Sequence, residues 1–435
     1  MPTFWAIYLA IALLLYVLLD GFDLGVGILF GAAPNETAKR NMLTSVSPVW
    51  DGNETWLVIS ATILWGAFPV TYSTLLSAFY LPMLVMLAAL ILRGVAFEFR
   101  YKSTRLRWVW DCGFIGGSYV ASFVQGTAVG AMVQELAIKN GQYVGGSFGW
   151  VSGFALLCGV GLCLGYALLG AGWLTYKTAD DVRDFAYLII PRLLICVLIF
   201  LAAIFAYSLH LRLSVLQRWL DRPGLVVFPL IGFAAAIGVW LSTKHRQDGI
   251  PFMMTAIIFI AAFLTLAMSF LPYMVPFTIT IADAAAPHSS LAFMFWGAGV
   301  FILPMTVIYT AIVYCVFKGK IDPAATLSLK KDRRGQVQAE RMHAEDSNYR
   351  RYDGQQKEAS MTITIRPKPP VLATNLTRGP WCITRLLRST GIRRTASMRP
   401  SVSCAPILAS WDCRSGGLQI VRAAPGNSIE QRRRP

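Results

Sequence analysis

Long apolar segments alternate with short polar segments over the first three quarters of the chain. A membrane-spanning helix needs about 20 mostly apolar residues, and on this rule the sequence predicts nine spans, the second and third of them separated by a short turn at Pro69. The spans lie near residues 4–30, 54–72, 75–97, 112–134, 150–174, 187–209, 224–242, 251–271 and 291–317. This pattern predicts an all-α, polytopic membrane protein.

The spans also predict a direction across the membrane. The first apolar segment continues from Phe4 to Gly31 without a small-residue cleavage site, so we interpret it as a retained span. Cytoplasmic loops are enriched in Lys and Arg. The basic loops are 31–48, 98–111, 175–186, 243–250 and the segment after residue 317. The loops with few or no Lys and Arg residues are 67–74, 135–149 and 272–290. Loop 210–223 breaks the alternation because it is also basic. The distribution of Lys and Arg over all the loops still predicts an outside N-terminus and a cytoplasmic C-terminus.

The composition is typical of a membrane protein and separates the chain into two parts. Hydrophobic residues make up 55% and charged residues only 14%, with a mean hydropathy of +0.54, whereas soluble domains carry about 25% charged residues. Residues 1–317 hold 16 basic and 14 acidic residues, so most of the net charge of +16 belongs to residues 318–435. The basicity therefore does not indicate a nucleic-acid partner for the helical part.

The segment 321–435 differs from residues 1–320 in composition. It is rich in Arg, Ser, Thr and Pro without a sustained apolar period, which predicts a basic, disordered tail. Two origins stay open. The tail is either an out-of-frame or read-through extension, or a native segment that lies on anionic lipid.

Two acids lie inside the first predicted span. Asp20 and Asp23 stand three residues apart on one helix face, among glycines spaced for close helix contact. Ionisable groups within a span mark function by default because they are costly there. The functional interpretation is a pair of carboxylates that hold or pass protons, and the structural one is a hydrated or ion-paired helix end.

A second acidic motif, Trp50–Asp51–Gly52–Asn53–Glu54, precedes the second span. Asp51 and Glu54 have the spacing of a helix N-cap and its third residue. They also fall at the membrane level of Asp20 and Asp23, because loop 31–48 joins the two spans on one side. Four carboxylates at one level predict a proton entrance.

A third motif lies at the end of the third span and contains Arg93, Glu98 and Arg100. Arg93 is expected to pair with a buried acid or a polar headgroup. Arg100 is expected to anchor the helix end by reaching to the membrane surface. Gln125 and Asp283 are further polar positions to which we assign no role.

Histidine placement argues against a redox centre in this chain. The four histidines are His210, His245, His288 and His343, and none lies in the middle of a span. A haem or copper held by histidines within the membrane is therefore not expected. The sequence has no phosphate-binding loop and no metal-spaced Cys/His cluster.

The three charged motifs, in this order, resemble the signatures of subunit II of cytochrome bd-type quinol oxidases. They read DGFDLGVG from Asp20, WDGNETWL from Trp50 and RGVAFEFR from Arg93, and Leu303 to Lys320 resembles the family's last helix. The resemblance covers residues 1–320. The short central region is similar to the cyanide-insensitive branch.

The resemblance implies a heterodimer in the bacterial inner membrane. Subunit I would carry haems b and d and the quinol site, while this chain would hold no cofactor and no metal and would form two four-helix bundles plus a peripheral helix. A small accessory subunit and membrane lipid are further expected partners. The resemblance assigns a proton route to Asp51 first and then to Asp20 and Asp23. Glu54 replaces a glutamine found in some members, and Trp50, Asn53, Arg93, Glu98 and Arg100 are candidate structural or quinone-contact residues.

Two alternatives from other functional classes stay open on the sequence. One is a proton-coupled secondary transporter that uses Asp20 and Asp23, although no pair of Gly/Pro-interrupted midplane spans supports it. The other is a purely structural assembly subunit in which the acids act as helix caps and ion-pair partners.

Overall fold

A computed structural model describes residues 1–103, 105–139, 142–211, 213–321, 409–411 and 418–420. By contacts between Cα atoms the chain divides into two units, Met1–Asp346 and Ser347–Pro435. The second unit is described only as two antiparallel strands, β5 (Ala409–Trp411) and β6 (Leu418–Ile420), with Ser410 opposite Gln419. The predicted disordered tail otherwise lies outside the described residues, so its boundary at residue 320 stays a prediction.

The described part of the first unit is predominantly helical. Its helices are α1 (Pro2–Leu29), α2 (Glu36–Val46), α3 (Trp50–Ala67), α4 (Pro69–Lys102), α5 (Arg107–Val133), α6 (Gly153–Lys177), α7 (Asp180–Leu211), α8 (Ser214–Asp221), α9 (Val227–Lys244), α10 (Ile250–Phe270), α11 (Ile281–Ala284), α12 (His288–Met294) and α13 (Val300–Val316). A π-helical turn at Phe295–Gly299 joins α12 to α13. Two short antiparallel hairpins complete the unit: β1 (Ile138–Lys139) with β2 (Gln142–Tyr143), and β3 (Tyr273–Val275) with β4 (Ile279–Thr280).

Seven helical segments within the described ranges are long and apolar enough to cross a membrane. They are Pro2–Ala32, Pro69–Lys102, Gly153–Lys177, Asp180–Leu211, Pro223–Lys244, Ile250–Phe270 and His288–Val316. The other two predicted spans correspond to α3 and α5. Charged residues at the start of α3, and the glycines, serines and Gln125 of α5, lower their mean hydropathy. Seven of the nine predicted spans thus have the length and hydropathy to cross a membrane, and the total of nine stays a prediction.

The predicted break at Pro69 is present, although the helix bounds differ from those expected. Only Phe68 separates the end of α3 from the start of α4. The latter is longer than predicted, because it begins six residues before residue 75 and ends five residues after residue 97. It also continues through Pro82 without ending there. This proline removes one backbone hydrogen bond, and Phe79 accordingly leaves helical geometry with φ −111° and ψ 20°.

The second half of α1 forms the centre of the unit. Every residue from Asp20 to Phe30 is buried, although a helix at a protein surface exposes one face. Neighbours on several sides account for this, because α1 packs against α3, α5, α6 and α10. Polar residues on this segment of α1 are therefore held inside the protein.

Glycines allow α1 and α6 to cross at backbone contact. A Cβ atom added at Gly25 would overlap the carbonyl oxygen of Tyr166, and one at Gly170 would overlap the backbone of Gly25. Beside the crossing, Phe22 stacks on Trp173 with ring centroids 4.0 Å apart. The prediction that the glycines of α1 serve close helix contact is confirmed.

Candidate functional site

Arg93 on α4 binds two acids from two other helices. Its Nη1 lies 3.0 Å from Asp20 Oδ1 on α1 and 3.1 Å from Glu54 Oε1 on α3. The side chain of Arg93 is 2% exposed and that of Asp20 is fully buried. The expectation that Arg93 pairs with a buried acid is therefore confirmed, and α1, α3 and α4 meet at one guanidinium group.

Asp23 is held by a neutral partner instead. Asn53 Nδ2 donates to Asp23 Oδ2 at 2.7 Å and also to the carbonyl oxygen of Leu19 at 3.1 Å. On its other side, Asn53 Oδ1 accepts a hydrogen bond of 2.9 Å from the Tyr314 hydroxyl on α13. Asn53 thus connects a buried carboxyl of α1 to the last helix. We call Asp20, Asp23, Asn53, Glu54 and Arg93 the acid cluster.

The carboxyl groups differ in their access to the protein surface. Asp20 and Asp23 are completely buried, while the side chain of Glu54 is 27% exposed. Asp51, one turn before Glu54 on α3, is exposed. Of the four predicted acids, three therefore belong to the acid cluster, and Asp51 lies at the surface beside it.

The predicted capping role of Asp51 and Glu54 is wrong. The helix α3 begins at Trp50, its N-cap is Val49, and no side chain caps it. Asp51 and Glu54 therefore fall inside the helix instead of flanking its start. Trp50 packs against Phe97 of α4, with ring centroids 5.4 Å apart, so its side chain supports the junction of α3 and α4.

The acid cluster contains more acids than bases. One guanidinium faces the three carboxyl groups of Asp20, Asp23 and Glu54. Asp20 Oδ2 and Asp23 Oδ1 are buried and make no hydrogen bond among the described residues. Because unpaired buried charge is costly, such a group reaches neutrality by binding protons. The arrangement can hold protons and exchange them along α3 with the surface.

Arg100 takes a position different from the one predicted. We expected it to anchor the helix end at the membrane surface, but it is 4% exposed. Its Nη2 lies 3.0 Å from Glu36 of α2, and its Nε donates to Asp111 of α5. The ion pairs with acids on neighbouring helices therefore hold this side chain inside the protein. Glu98 is exposed on α4, outside both ion-pair groups.

Near the acid cluster, the sequence indicated Gln125 without a role and did not indicate its partners. Gln125 of α5 donates to the Tyr16 hydroxyl at 2.7 Å and accepts from the Tyr166 hydroxyl at 2.9 Å. These partners are far from it along the chain, so no local spacing could have revealed them. Tyr314 could have been found, since it belongs to the motif between Leu303 and Lys320 that resembles the family's last helix.

The described histidines lie outside the acid cluster. His210, His245 and His288 are at helix ends or in a loop and are exposed. Groups of three or more His, Cys, Asp or Glu suited to a metal ion do not occur in the described ranges. Asp283 is also exposed, bound to Thr280 at the start of α11. The acid cluster is therefore the candidate functional site.

Comparison with known proteins places this fold and these motifs in one family. The profile of the family described as "Cytochrome bd terminal oxidase subunit II" matches residues 1–317. The "Probable cytochrome oxidase subunit 2" of Haemophilus influenzae is 28% identical over 73% of this chain and 94% of its own length. The "Cytochrome bd-I ubiquinol oxidase subunit 2" of Escherichia coli K12 shows the same identity and coverage. The "Cytochrome bd ubiquinol oxidase subunit 2" of Bacillus subtilis is 29% identical over 73% of this chain and 96% of its own.

A solved structure supports the same fold. A chain of the bd oxidase from Geobacillus thermodenitrificans superposes with a TM-score of 0.61 and 16% identity, covering 73% of this chain and 99% of that one. The predicted all-α, polytopic membrane fold and the predicted resemblance are confirmed. The chain belongs to the cytochrome bd terminal oxidase subunit II family.

Proposed function

We propose that this chain is subunit II of a bd-type quinol:oxygen oxidoreductase and that its acid cluster supplies protons to oxygen reduction. The relatives from Escherichia coli and Bacillus subtilis are named as subunits of ubiquinol oxidases, which supports this assignment. Oxygen reduction to water consumes protons at a buried site, so a route through the protein is a chemical necessity. Family membership removes the ground for the secondary-transporter alternative.

The observation that carries the proposal is the gradient of exposure across the acids. Asp51 is exposed, Glu54 is 27% exposed, and Asp20 and Asp23 are buried. Asp51 and Glu54 lie three residues apart on one face of α3. A proton taken up at Asp51 therefore has a neighbouring acceptor at Glu54, which shares Arg93 with Asp20.

Within this proposal the residues have distinct roles. Asp51 collects protons at the surface, Glu54 passes them inward, and the buried pair of Asp20 and Asp23 receives them inside the unit. Arg93 keeps Glu54 and Asp20 together, and Asn53 keeps Asp23 close to α3. Trp50 holds the junction of α3 and α4, whereas the exposed Glu98 has no part in the route.

The redox groups of the complex belong to the partner in this proposal. Haems b and d and the quinol site lie in subunit I, because the described part of this chain offers exposed histidines at helix ends only. The chain is a multi-pass protein of the bacterial inner membrane, with its C-terminus in the cytoplasm. A small accessory subunit and membrane lipid are further proposed partners.

A purely structural role is the second candidate, because the ion pairs of Arg93 would also stabilise the subunit. Asp51→Asn separates the two, since it keeps the shape of the side chain and removes its titration. We expect lower quinol oxidase turnover with an unchanged reduced-minus-oxidised haem spectrum in the intact complex. Unchanged turnover would remove Asp51 from the route, and a lost spectrum would indicate a structural role.

A further inference from the structure

A second buried group of polar side chains lies next to the acid cluster. It consists of Tyr16 on α1, Gln125 on α5 and Tyr166 on α6, joined by the two hydrogen bonds of Gln125. Tyr16 is 4% exposed and Tyr166 is fully buried. Buried polar groups that are joined in this way restrict one another to a single arrangement.

Tyr166 is the rigid end of this group. Its ring lies against Gly21, where an added Cβ atom would be only 2.6 Å from Tyr166 Cε1. On another side it stacks with Phe259 of α10, with ring centroids 5.6 Å apart and 14° between the planes. Its hydroxyl donates to Gln125 Oε1 and so fixes which way the amide points.

The direction of the hydrogen bonds determines what Tyr16 can do. Gln125 Nε2 carries only hydrogens, so the Tyr16 oxygen is the acceptor in their contact. The phenolic proton of Tyr16 therefore remains for another acceptor. Asp20 lies one helical turn further along α1 on the same face. The Tyr16 hydroxyl is close enough to interact with the Asp20 carboxyl, whose Oδ2 makes no hydrogen bond of standard geometry.

We propose that Gln125 is a positioning residue that holds the Tyr16 hydroxyl toward Asp20 Oδ2. This inference rests on the proposed proton route and adds a control element to it. Held in this way, Tyr16 stabilises the charged form of Asp20 from one side while Arg93 does so from the other. Protons entering through Glu54 then find Asp20 as a fixed anion, and Asp23, which has only the amide of Asn53, is the inner acid that takes them.

The environment of Asp20 supports this division of roles. Charged and titratable side chains face it from every helix that contributes to the cluster. They are Arg93 of α4, Glu54 of α3, Asp23 and Tyr16 of α1, Tyr166 of α6 and Tyr314 of α13. Of these, Arg93 is the only cation. Tyr16 is the only one with a hydroxyl on the same helix as Asp20, one turn away.

The test uses the intact oxidase complex and the pH dependence of its quinol oxidase turnover. Gln125→Leu frees Tyr16, and Tyr16→Phe removes its hydroxyl. Because a carboxylate then loses a hydrogen-bond donor, each variant is expected to move the pH profile toward higher pH by about 1 unit. The double variant is expected to move it no further than Tyr16→Phe alone. Ser122→Ala is the matched control on α5, since among the described residues its hydroxyl bonds only to its own helix at Ser118.

Each outcome decides the inference. An unmoved profile in Gln125→Leu with a normal haem spectrum overturns it, and so do additive shifts in the double variant, because Gln125 would then not act through Tyr16. If Gln125→Leu does not assemble, Tyr16→Phe decides by itself, and an unmoved profile again overturns the inference. Asp20→Asn distinguishes the two levels of the account. If it lowers turnover while the Gln125 and Tyr16 variants have no effect, the proton route survives and only this inference fails.

Discussion

Arg93 and Asp20 form an ion pair of 3.0 Å in which the two side chains are 2% and 0% exposed. They come from α4 and α1, 73 residues apart in sequence, and the same guanidinium also binds Glu54 of α3. One buried cation thus sets the positions of two acids on two helices. Breaking such a pair on one side leaves an uncompensated buried charge.

Arg93→Met is predicted to destabilise the subunit by about 3–5 kcal/mol, because it leaves Asp20 buried without its cation. The free energy of unfolding of the detergent-solubilised complex measures this. The double variant Arg93→Met with Asp20→Asn should recover part of the loss, since it removes the stranded charge. Arg183→Met is the matched control. Arg183 and its partner Asp248 are 30% and 28% exposed, and the loss of an exposed pair costs about 0–1 kcal/mol. Equal losses in both arginine variants would contradict the account.

Gly25→Ala is predicted to weaken the crossing of α1 and α6. The added methyl group would overlap the Tyr166 carbonyl oxygen, and overpacking of this kind costs about 1–3 kcal/mol or more. Thermal unfolding of the complex and the yield of assembled oxidase report the loss. In Gly116→Ala of α5 the methyl group meets open space, so stability should be unchanged or rise by about 0.5–1 kcal/mol. A tolerated Gly25→Ala would mean that the helices are not in backbone contact.

Acid is predicted to release the contact between Lys320 and the loop before α10. Burial acts to raise the pKa of Asp248, but hydrogen bonds from Lys320, Tyr187 and Arg183 outweigh it, so the pKa lies below its ordinary value of 3.8. A lowered pKa in the folded state gives stability that is complete above the ordinary value. This stability is lost as the pH falls through the folded-state value.

The measurement for this contact is the melting temperature of the complex between pH 6 and pH 3. The parent protein should lose stability below about pH 4, and Asp248→Asn should lose less over the same interval because its contribution is already absent. Asp184→Asn serves as the control, since Asp184 and Arg246 are about 60% exposed. Parallel curves for the parent and Asp248→Asn would show that Asp248 does not stabilise the fold in this way.

Deletion of residues 325–435 is predicted to leave assembly and turnover intact. The family match ends at residue 317, and the last ion pair of the helical unit, between Lys320 and Asp248, is retained in the shortened chain. Copurification of the haem-bearing partner and quinol oxidase turnover are the two measurements. Loss of either would assign the tail an essential role, such as binding to anionic lipid.

The parts of the fold that depend on local pattern could be predicted from the sequence. Apolar runs of about 20 residues located the helices, and the glycines beside Asp20 and Asp23 indicated the close contact that α6 makes with α1. The exact ends could not be located, because α4 runs from Pro69 to Lys102 and includes polar residues near both ends, such as Ser73 and Glu98. The capping prediction for Asp51 failed because α3 begins at Trp50, one residue before Asp51.

Without the family resemblance, the site was predictable only where its residues carry charge. Arg93 and the acids stood out because ionisable groups are costly within a span. Which acid each arginine binds depends on the packing of helices distant in sequence, so the burial of Arg100 between Glu36 and Asp111 was missed. Gln125 stood out as a polar position, but its partners lie 109 and 41 residues away, so a single sequence carries no signal of its role.

In this proposal the acid cluster carries protons to oxygen reduction, and the most direct test is proton uptake in Asp23→Asn. The measurement follows uptake during a single reaction of the reduced complex with oxygen, alongside its haem spectrum. We predict uptake slowed by at least about tenfold with an unchanged spectrum, and parental uptake in Asp221→Asn, an exposed acid on α8. Proton uptake at the parental rate in Asp23→Asn would contradict the proposal.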